Sequence, residues 1–443
     1  MHKQFHIKTY GCQMNVYDSD RISDLLIPMG YTKTDKPEES DLVIINTCHI
    51  REKASEKLYS DLGRLSKFKI NRNKLGSDLK IVVTGCVAQA EGEEIIRRNK
   101  DVDLVLGPQN YHKITSFLKK TPTHKLHNHF PNESKFDHFP KTKTNEVSAF
   151  VTIQEGCDKF CSFCVVPYTR GPEFSRTVNE IVFDIKHLSN QGVREITLLG
   201  QNVSDYSGTY NDGISKKRLK LADLIKRISD IKNIERIRYI TSHPSDISSE
   251  LINEHKTNFK LMPYLHLPIQ SGSNKILKKM NRGYTQEHYI SIVKEIKKVR
   301  KDFAITSDFI VGFPGETDED FNETLKITEE IDFAASYSFK YSPRPGTPSS
   351  LLDEHVPENV SDERLKILQK KLDQSQNVFN NSFIGKKVSV LFEKEGKKIN
   401  QYVGRSEYLQ PVHVISVDPL IGKILDVKIN KVEAYSLHGQ INQ

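Results

Sequence analysis

Three segments in the first part of the chain repeat one local grammar, an apolar β-rich run that ends in a cysteine: residues 5–12 (FHIKTYGC), 42–48 (LVIINTC) and 80–86 (KIVVTGC). Continuous apolar runs separated by helical patterns such as residues 18–29 indicate βαβ units and a parallel sheet covered on both faces. The spacing supports this, because Cys48 lies 36 residues after Cys12 and Cys86 lies 38 after Cys48, about one βα unit each time. Parallel strands end on one edge, and in open α/β sheets that carboxyl edge carries the ligand site. The pattern therefore predicts that Cys12, Cys48 and Cys86 are delivered to one place. Each cysteine taken alone could instead be a buried small hydrophobe.

The other three cysteines are packed into eight residues: Cys157, Cys161 and Cys164, with three and then two residues between them. Short fixed thiolate spacings hold iron-sulfur clusters, and a run that supplies only three ligands leaves one iron open for chemistry. A structural zinc loop is the alternative, but closed zinc sites take four N or S ligands and no histidine or fourth cysteine lies nearby in sequence. The N-terminus reads as a strand rather than a signal peptide, and no apolar run is long enough to cross a bilayer, so a cytosolic protein with no membrane partner is expected. Thiols stay reduced in that compartment, which favours metal or redox chemistry over disulfides. At 443 residues, two or three domains are expected, and the net charge of +8 suits a polyanionic partner.

Residues 121–144 turn polar and irregular, with Pro122, Pro131, Pro140 and the histidines His124, His127, His129 and His138. Their irregular spacing favours a solvated linker over a metal site. Beyond it, strand-like runs at 149–154, 195–199, 237–241, 261–267, 304–311 and 336–341 alternate with helical patterns. Six βα units are too few to close an eight-stranded barrel, so an open partial (β/α)6 barrel is expected, with catalytic groups where its strands end. Those ends carry the cysteine run, Gln201-Asn202, Ser242-His243, Gln270 and Asp308, polar groups suited to a ribose and an amino-acid moiety. His243 has no partner visible in sequence and reads as a loop histidine.

A C-x3-C-x2-C run after the first strand of a partial barrel resembles the radical S-adenosylmethionine superfamily. The resemblance implies that S-adenosylmethionine chelates the open iron and is cleaved to a 5'-deoxyadenosyl radical, that Phe163 packs near its adenine, and that Gln201, Asn202, Ser242, Gln270 and Asp308 contact it. Residues 361–380 form an amphipathic connecting helix. After it, short alternating runs at 386–392, 402–405, 411–417 and 424–434 predict a small β-barrel. Residues 383–443 hold nine Lys or Arg against six Asp or Glu, a net +3. Tyr402, Arg405 and Tyr408 are its candidate RNA contacts, cross-strand packing being the alternative. The stretch GRSEYLQPVHV at 404–414 is similar to the TRAM RNA-binding module.

Together these parts resemble the methylthiotransferase family. TYGCQMN (9–15), NTCHIREKA (46–54), TGCVAQAEGEEI (84–95), CSFCVVPYTRGPEFSR (161–176) and LPIQSGSNKILKKMNRGYT (267–285) are similar to its branch that modifies tRNA. The resemblance implies methylthiolation of C2 of N6-dimethylallyladenosine at tRNA position 37, with two 4Fe-4S clusters, one on Cys157, Cys161 and Cys164 and one on Cys12, Cys48 and Cys86. It also implies an electron donor, a sulfur source and a monomer. Branches acting on a ribosomal-protein aspartate or on threonylcarbamoyladenosine share the architecture. The expected domains are an N-terminal open parallel α/β sheet (1–120), the linker (121–145), the partial barrel with its connecting helix (146–378) and the small C-terminal β-barrel (379–443). Overall the fold class is α/β multidomain.

Overall fold

The computed structural model describes residues 3–49, 52–120, 124–131 and 133–441. Ile50 and Arg51 of the NTCHIREKA motif, and Pro122 of the polar tract, fall outside this range. The chain divides into two compact units, one made of Met1–Lys143, Glu155–Asp158 and Val165–Phe174, the other of Thr144–Gln154, Lys159–Cys164 and Ser175–Gln443.

The first unit is built on a six-stranded sheet of β1 (Lys3–Thr9), β2 (Tyr31–Lys33), β3 (Leu42–Thr47), β4 (Lys80–Gly85), β5 (Leu104–Leu106) and β6 (Leu126–His127). Its order is β2-β1-β3-β4-β5-β6 and every pairing is parallel. Alternate residues leave opposite faces, so Ile44 and Val82 join Phe5 and Ile22 in one core, while Val43, Ile45, Ile81 and Val83 pack under Leu58 and Leu62 in another. Both faces being buried is why these strands read as unbroken apolar runs. Helices α1 (Gln13–Leu26), α2 (Glu52–Lys74) and α3 (Cys86–Arg98) make the crossovers. The polar tract differs from the expected solvated linker. Its Leu126 and His127 supply β6, paired to Val105 and Leu106, and its Lys135 is 1 % exposed. Burial of a lysine is sustained there by two carboxylates of the same unit, Asp18 at 3.3 Å and Glu155 at 2.6 Å, which composition alone does not reveal.

The second unit holds β7 (Ser148–Thr152), β8 (Glu195–Leu199), β9 (Arg236–Tyr239), β10 (Tyr264–His266), β11 (Ala304–Val311) and β12 (Phe333–Lys340). They form two parallel three-stranded sheets, β9-β8-β7 and β10-β11-β12, joined by a parallel bridge from Ile237 to Leu261. The result is a six-stranded open arc with one continuous core running from Val151 to Phe333. Its crossover helices are capped from local sequence. Thr177 and Glu180 make a reciprocal capping box, as do Thr317 and Asp320.

A helix at Glu358–Asn381 leads to a closed five-stranded barrel of β13 (Lys387–Glu395), β14 (Gln401–Ser406), β15 (Pro411–Ile415), β16 (Ile424–Glu433) and β17 (Ser436–Ile441). This barrel is docked on the amino ends of the arc's strands. The buried Arg236 donates to Arg405 O and Ser389 Oγ, and Arg238 donates to Ser406 O and Glu407 O, at 2.8–2.9 Å. The carboxyl ends of the arc are thereby left for the site. Among the described residues no helix is long and apolar enough to cross a membrane.

Candidate active site and cysteine sets

In the first unit all three strands that precede the dispersed cysteines are neighbours, β1-β3-β4, so their carboxyl ends lie side by side. Cys12 is the N-cap of α1, and Cys86 is the first residue of α3. A thiol at a helix N-terminus faces the positive end of the macrodipole, which favours its anion. Two glycines allow the close approach. Gly11 has φ +105, and a Cβ there would stand 2.4 Å from Cys48 Cβ; Gly85 has φ +94, and a Cβ would stand 2.3 Å from Thr47 O. Cys48 is buried, and burial pushes the Cys86 thiol pKa up while the neighbouring Arg170 guanidinium pulls it back.

Arg170 is itself buried, and it closes a four-member ionic network. It donates to Asp18 Oδ2 at 2.8 Å, Asn15 Oδ1 at 2.9 Å and Glu155 Oε1 at 3.0 Å, and Lys135 bridges Asp18 and Glu155. Burial opposes ionisation of Asp18, but Lys135 and Arg170 outweigh it and hold the carboxyl below its ordinary pKa. Two cations balance two carboxylates, so the network is neutral and any thiolate beside Arg170 adds net negative charge. A cationic or polycationic group, as an iron-sulfur cluster core is, suits that thiolate set.

In the second unit the loop carrying Cys161 and Cys164 is held by the segment Met280-Asn281-Arg282. Ser162 N–H donates to Met280 O, Ser162 Oγ to Lys279 O, and Asn281 Nδ2 to Phe160 O, all at 2.9 Å. Arg282 is buried and donates to Cys161 Sγ at 3.3 Å, to Tyr284 Oη at 2.8 Å and to Pro268 O at 2.9 Å. Among the described residues no carboxylate pairs with Arg282. The Cys161 sulfur is what this cation meets, an environment that suits a thiolate ligand. Cys157, in the first unit, is anchored through its N–H to Gly171 O at 3.2 Å.

The polar residues expected at the strand ends fall into two pairs of loops. Gln154 Oε1 accepts from the N–H groups of Gln201 and Asn202, and Asn202 Oδ1 accepts from His243 N–H at 3.0 Å, tying the ends of β7, β8 and β9. Asn202 also donates to Asp246, so its side-chain amide is committed to the scaffold. Gln270 N–H donates to Asp308 O and its carbonyl accepts from Ile310 N–H, joining the end of β10 to β11. Asp308 faces His266 Nε2 at 3.4 Å. Four non-glycine residues here, Phe160, Thr241, Gln270 and Asn281, adopt positive φ. For a β-branched threonine this is strained, as at many functional sites.

Among the described residues, three buried polar atoms at these ends find no partner: Gln154 Nε2, Ser242 Oγ and His243 Nε2. They fit a polar small ligand such as S-adenosylmethionine. His243 differs from the satisfied loop histidine expected. Its Nδ1 accepts from Ser245 N–H, but burial, helped by Arg282 and Lys159, lowers its pKa to about 2, so it is neutral. Phe163 packs with Ile276, Met280 and Phe313.

The three candidate RNA contacts separate. Tyr408 is a correction: its ring lies against Phe379 and Phe383, and its hydroxyl donates to Asp302 at 2.9 Å, so it is a docking residue with no free face. Tyr402 packs against the small barrel's core, and Arg405 lies near Glu393 and donates to Leu409 O. In the His-rich tract, His138 joins His112 and Glu133 with ligand atoms within 4.8 Å. Their two rings stack at 4.4 Å, however, which keeps the lone pairs in parallel planes and does not aim them at one ion.

Comparison with known proteins agrees with this architecture. Residues 4–107 match the uncharacterized protein family UPF0004, 151–327 the radical SAM superfamily and 381–441 the TRAM domain. Curated proteins named tRNA-2-methylthio-N(6)-dimethylallyladenosine synthase match end to end. Those of Rickettsia canadensis and Rickettsia rickettsii are 51% identical and that of Rickettsia bellii 50%, each over 100% of both chains. The chain belongs to the family of tRNA-2-methylthio-N(6)-dimethylallyladenosine synthases. Among solved structures, the radical S-adenosylmethionine methyltransferase TsrM of Kitasatospora setae, with cobalamin and a [4Fe-4S] cluster bound, aligns with TM-score 0.56 at 14% identity over 79% of this chain and 74% of its own. The cobalamin-dependent radical enzyme OxsB aligns with TM-score 0.54 at 12% identity over 84% of this chain and 56% of its own. At such identities the likeness is one of fold. Arg170, Lys135 and Arg282 have no counterpart in the sequence reading of this synthase-family chain. Arg170 and Arg282 stand beside the cysteine motifs, in YTRG and MNRGYT, and Lys135 lies in the polar tract, but a single cation in any of these places looks like a surface residue until its burial is seen.

Proposed function

We propose that this chain converts N6-dimethylallyladenosine at position 37 of tRNA into its 2-methylthio derivative. The observation that carries the reading is the buried Arg282 whose charge is met by Cys161 Sγ, in a chain that also gathers three cysteines on one sheet edge. Cys157, Cys161 and Cys164 would hold one 4Fe-4S cluster and Cys12, Cys48 and Cys86 a second. Bound there, these groups supply reductive cleavage of S-adenosylmethionine and a place for the incoming sulfur, which replacement of hydrogen on an unactivated aromatic carbon needs. Gln201, Ser242, Gln270 and Asp308 line the strand ends as contacts for S-adenosylmethionine, with Asn202 positioning the loop and Phe163 supplying apolar support. The neutral His243, whose Nδ1 accepts from Ser245 N–H, carries its proton on Nε2 and can donate one hydrogen bond without placing a charge beside a sulfonium. A single chain carries every part, so a monomer suffices, and an outside electron donor and sulfur source complete the stoichiometry. The module at 379–443, with Tyr402 and Arg405, contributes to holding the tRNA, in a cytoplasmic setting.

Nucleoside mass spectrometry of bulk tRNA tests this. A deletion strain should accumulate N6-dimethylallyladenosine and lose its methylthio form, with restoration by the intact gene. Unchanged content of the methylthio form would exclude this reading.

A further inference from the structure

Between the end of β8 and the next helix the chain makes an antiparallel hairpin, Ser207–Asn211 with Lys216–Lys220. Its tip is fixed locally: Asp212 Oδ1 accepts from the N–H groups of Ile214 and Ser215, and Asn211 Oδ1 from Gly213 N–H. Its base is fixed to the arc. Asn179 exchanges two hydrogen bonds with the Asn211 backbone, and Arg227 lies over the Tyr210 ring at 3.9 Å. The returning strand reads Lys216-Lys217-Arg218-Leu219-Lys220, and its four cations are exposed.

Strand alternation puts Leu219, which packs on the arc's core, and Lys217, which covers Tyr210, on one face. Lys216, Arg218 and Lys220 share the other face, about 7 Å apart along it. Among the described residues none of these cations has a carboxylate within ion-pairing distance. The nearby acids are committed elsewhere: Asp212 to the turn, Asp205 to Lys159, Asp223 to the Lys220 backbone N–H at the start of the next helix, and Glu250 to hydrogen bonds at its own helix N-terminus, although it feels Lys220. Two helical basic stretches differ. Lys69 and Arg72 of α2 pair with Asp103 and Asp41, and Lys294 and Lys297 of the helix Gln286–Val299 pair with Glu330 and Asp332. The hairpin grows from the loop that carries Gln201 and Asn202, so its cations stand on the same chain segment as the strand-end site.

We infer that Lys216, Arg218 and Lys220 form a rigid rail for the sugar-phosphate backbone of the tRNA substrate beside the strand-end site, separate from the C-terminal barrel. The inference rests on the tRNA reading above. Phosphate contacts position a nucleic acid without reading its sequence, and each releases counterions.

The test uses the anaerobically reconstituted full chain and a tRNA carrying N6-dimethylallyladenosine, with binding measured across a salt series. Relative to wild type, Lys216→Gln/Arg218→Gln/Lys220→Gln should bind about tenfold or more weakly near 0.1 M salt, and its log-affinity against log-salt slope should be smaller by about 2–3. Lys294→Gln/Lys297→Gln/Lys298→Gln, which removes the same charge from a paired helix, should keep the wild-type slope. An unchanged slope in the hairpin variant, or an equal loss in the helix variant, overturns the rail while wild-type methylthiolation of that tRNA stands. A wild-type chain that neither binds nor methylthiolates it overturns the functional reading as well.

Discussion

At the scale of single residues, the two arginines divide the work of the cysteine sets. Arg170 belongs to a neutral network with Asp18, Glu155 and Lys135, whereas among the described residues Arg282 has only sulfur, a hydroxyl and a carbonyl as partners. A charge-assisted hydrogen bond contributes about 1.5–3 kcal/mol. Arg282→Met is therefore expected to slow cleavage of S-adenosylmethionine by about 10–100-fold. It should also shift the midpoint potential of the cluster proposed on Cys157, Cys161 and Cys164 to more negative values, because a nearby positive charge favours the reduced, more anionic state. Arg282→Lys should recover part of the shift. An electron paramagnetic resonance titration of the reconstituted protein reads it, and an unchanged potential in Arg282→Met would show that the arginine only packs. The placement of Cys12, Cys48 and Cys86 at neighbouring strand ends was legible in their spacing. The arginines were not, because their meaning lies in burial and in partners more than a hundred residues away, as from Arg282 to Cys161.

At the scale of elements, strand positions could be read closely wherever burial on both faces left continuous apolar runs, as in β3 and β4. The polar tract was misread because its buried Lys135 depends on Asp18, which sequence composition does not connect to it. The role of Tyr408 was hidden for a similar reason: the loop that holds it is captured by Arg236 and Arg238 of β9. Arg238 also lies 3.1 Å from Glu195, both nearly inaccessible. Removing one member of such a pair strands a buried charge, at a cost of about 3–5 kcal/mol. Arg238→Met should accordingly lower the thermal midpoint strongly and release the C-terminal barrel to limited proteolysis, while Arg238→Met/Glu195→Leu should recover part of the loss, the remainder reflecting Arg236, which also faces Glu195 at 3.8 Å. Equal damage in the single and double variants would contradict the pairing. A smaller element tests the N-terminal cysteine edge. Gly11→Ala must place its Cβ against Cys48 at a backbone angle that alanine resists. We expect iron content in that variant to fall from about eight to about four per chain after anaerobic reconstitution, against wild type.

At the scale of the whole molecule, the parts are chemically complementary: polar orphan atoms at the arc's strand ends, thiols on a parallel-sheet edge, and exposed cations on a hairpin and a small barrel. Buried neutral histidines impose a pH limit on this assembly. Burial, with Arg300 nearby, depresses His255 to about 3, and burial depresses His243 to about 2. The unfolded histidine titrates near 6.5, so the unfolded chain takes up more protons below that pH. Their contribution to stability is present above about 6.5 and is lost as pH falls toward the folded values, each costing up to about 1.4 kcal/mol per pH unit. The thermal midpoint should fall between pH 7 and pH 5, and His255→Gln should flatten that fall. The most direct measurement of the central reading is a single reaction. Anaerobically reconstituted protein is given dimethylallylated tRNA, S-adenosylmethionine, a reductant and sulfide, and the nucleosides and 5'-deoxyadenosine are quantified by mass spectrometry. Wild type should yield 2-methylthio-N6-dimethylallyladenosine with 5'-deoxyadenosine, and Cys161→Ala should yield neither; substantial 5'-deoxyadenosine from Cys161→Ala, or no methylthiolated nucleoside from the two-cluster wild type, would contradict it.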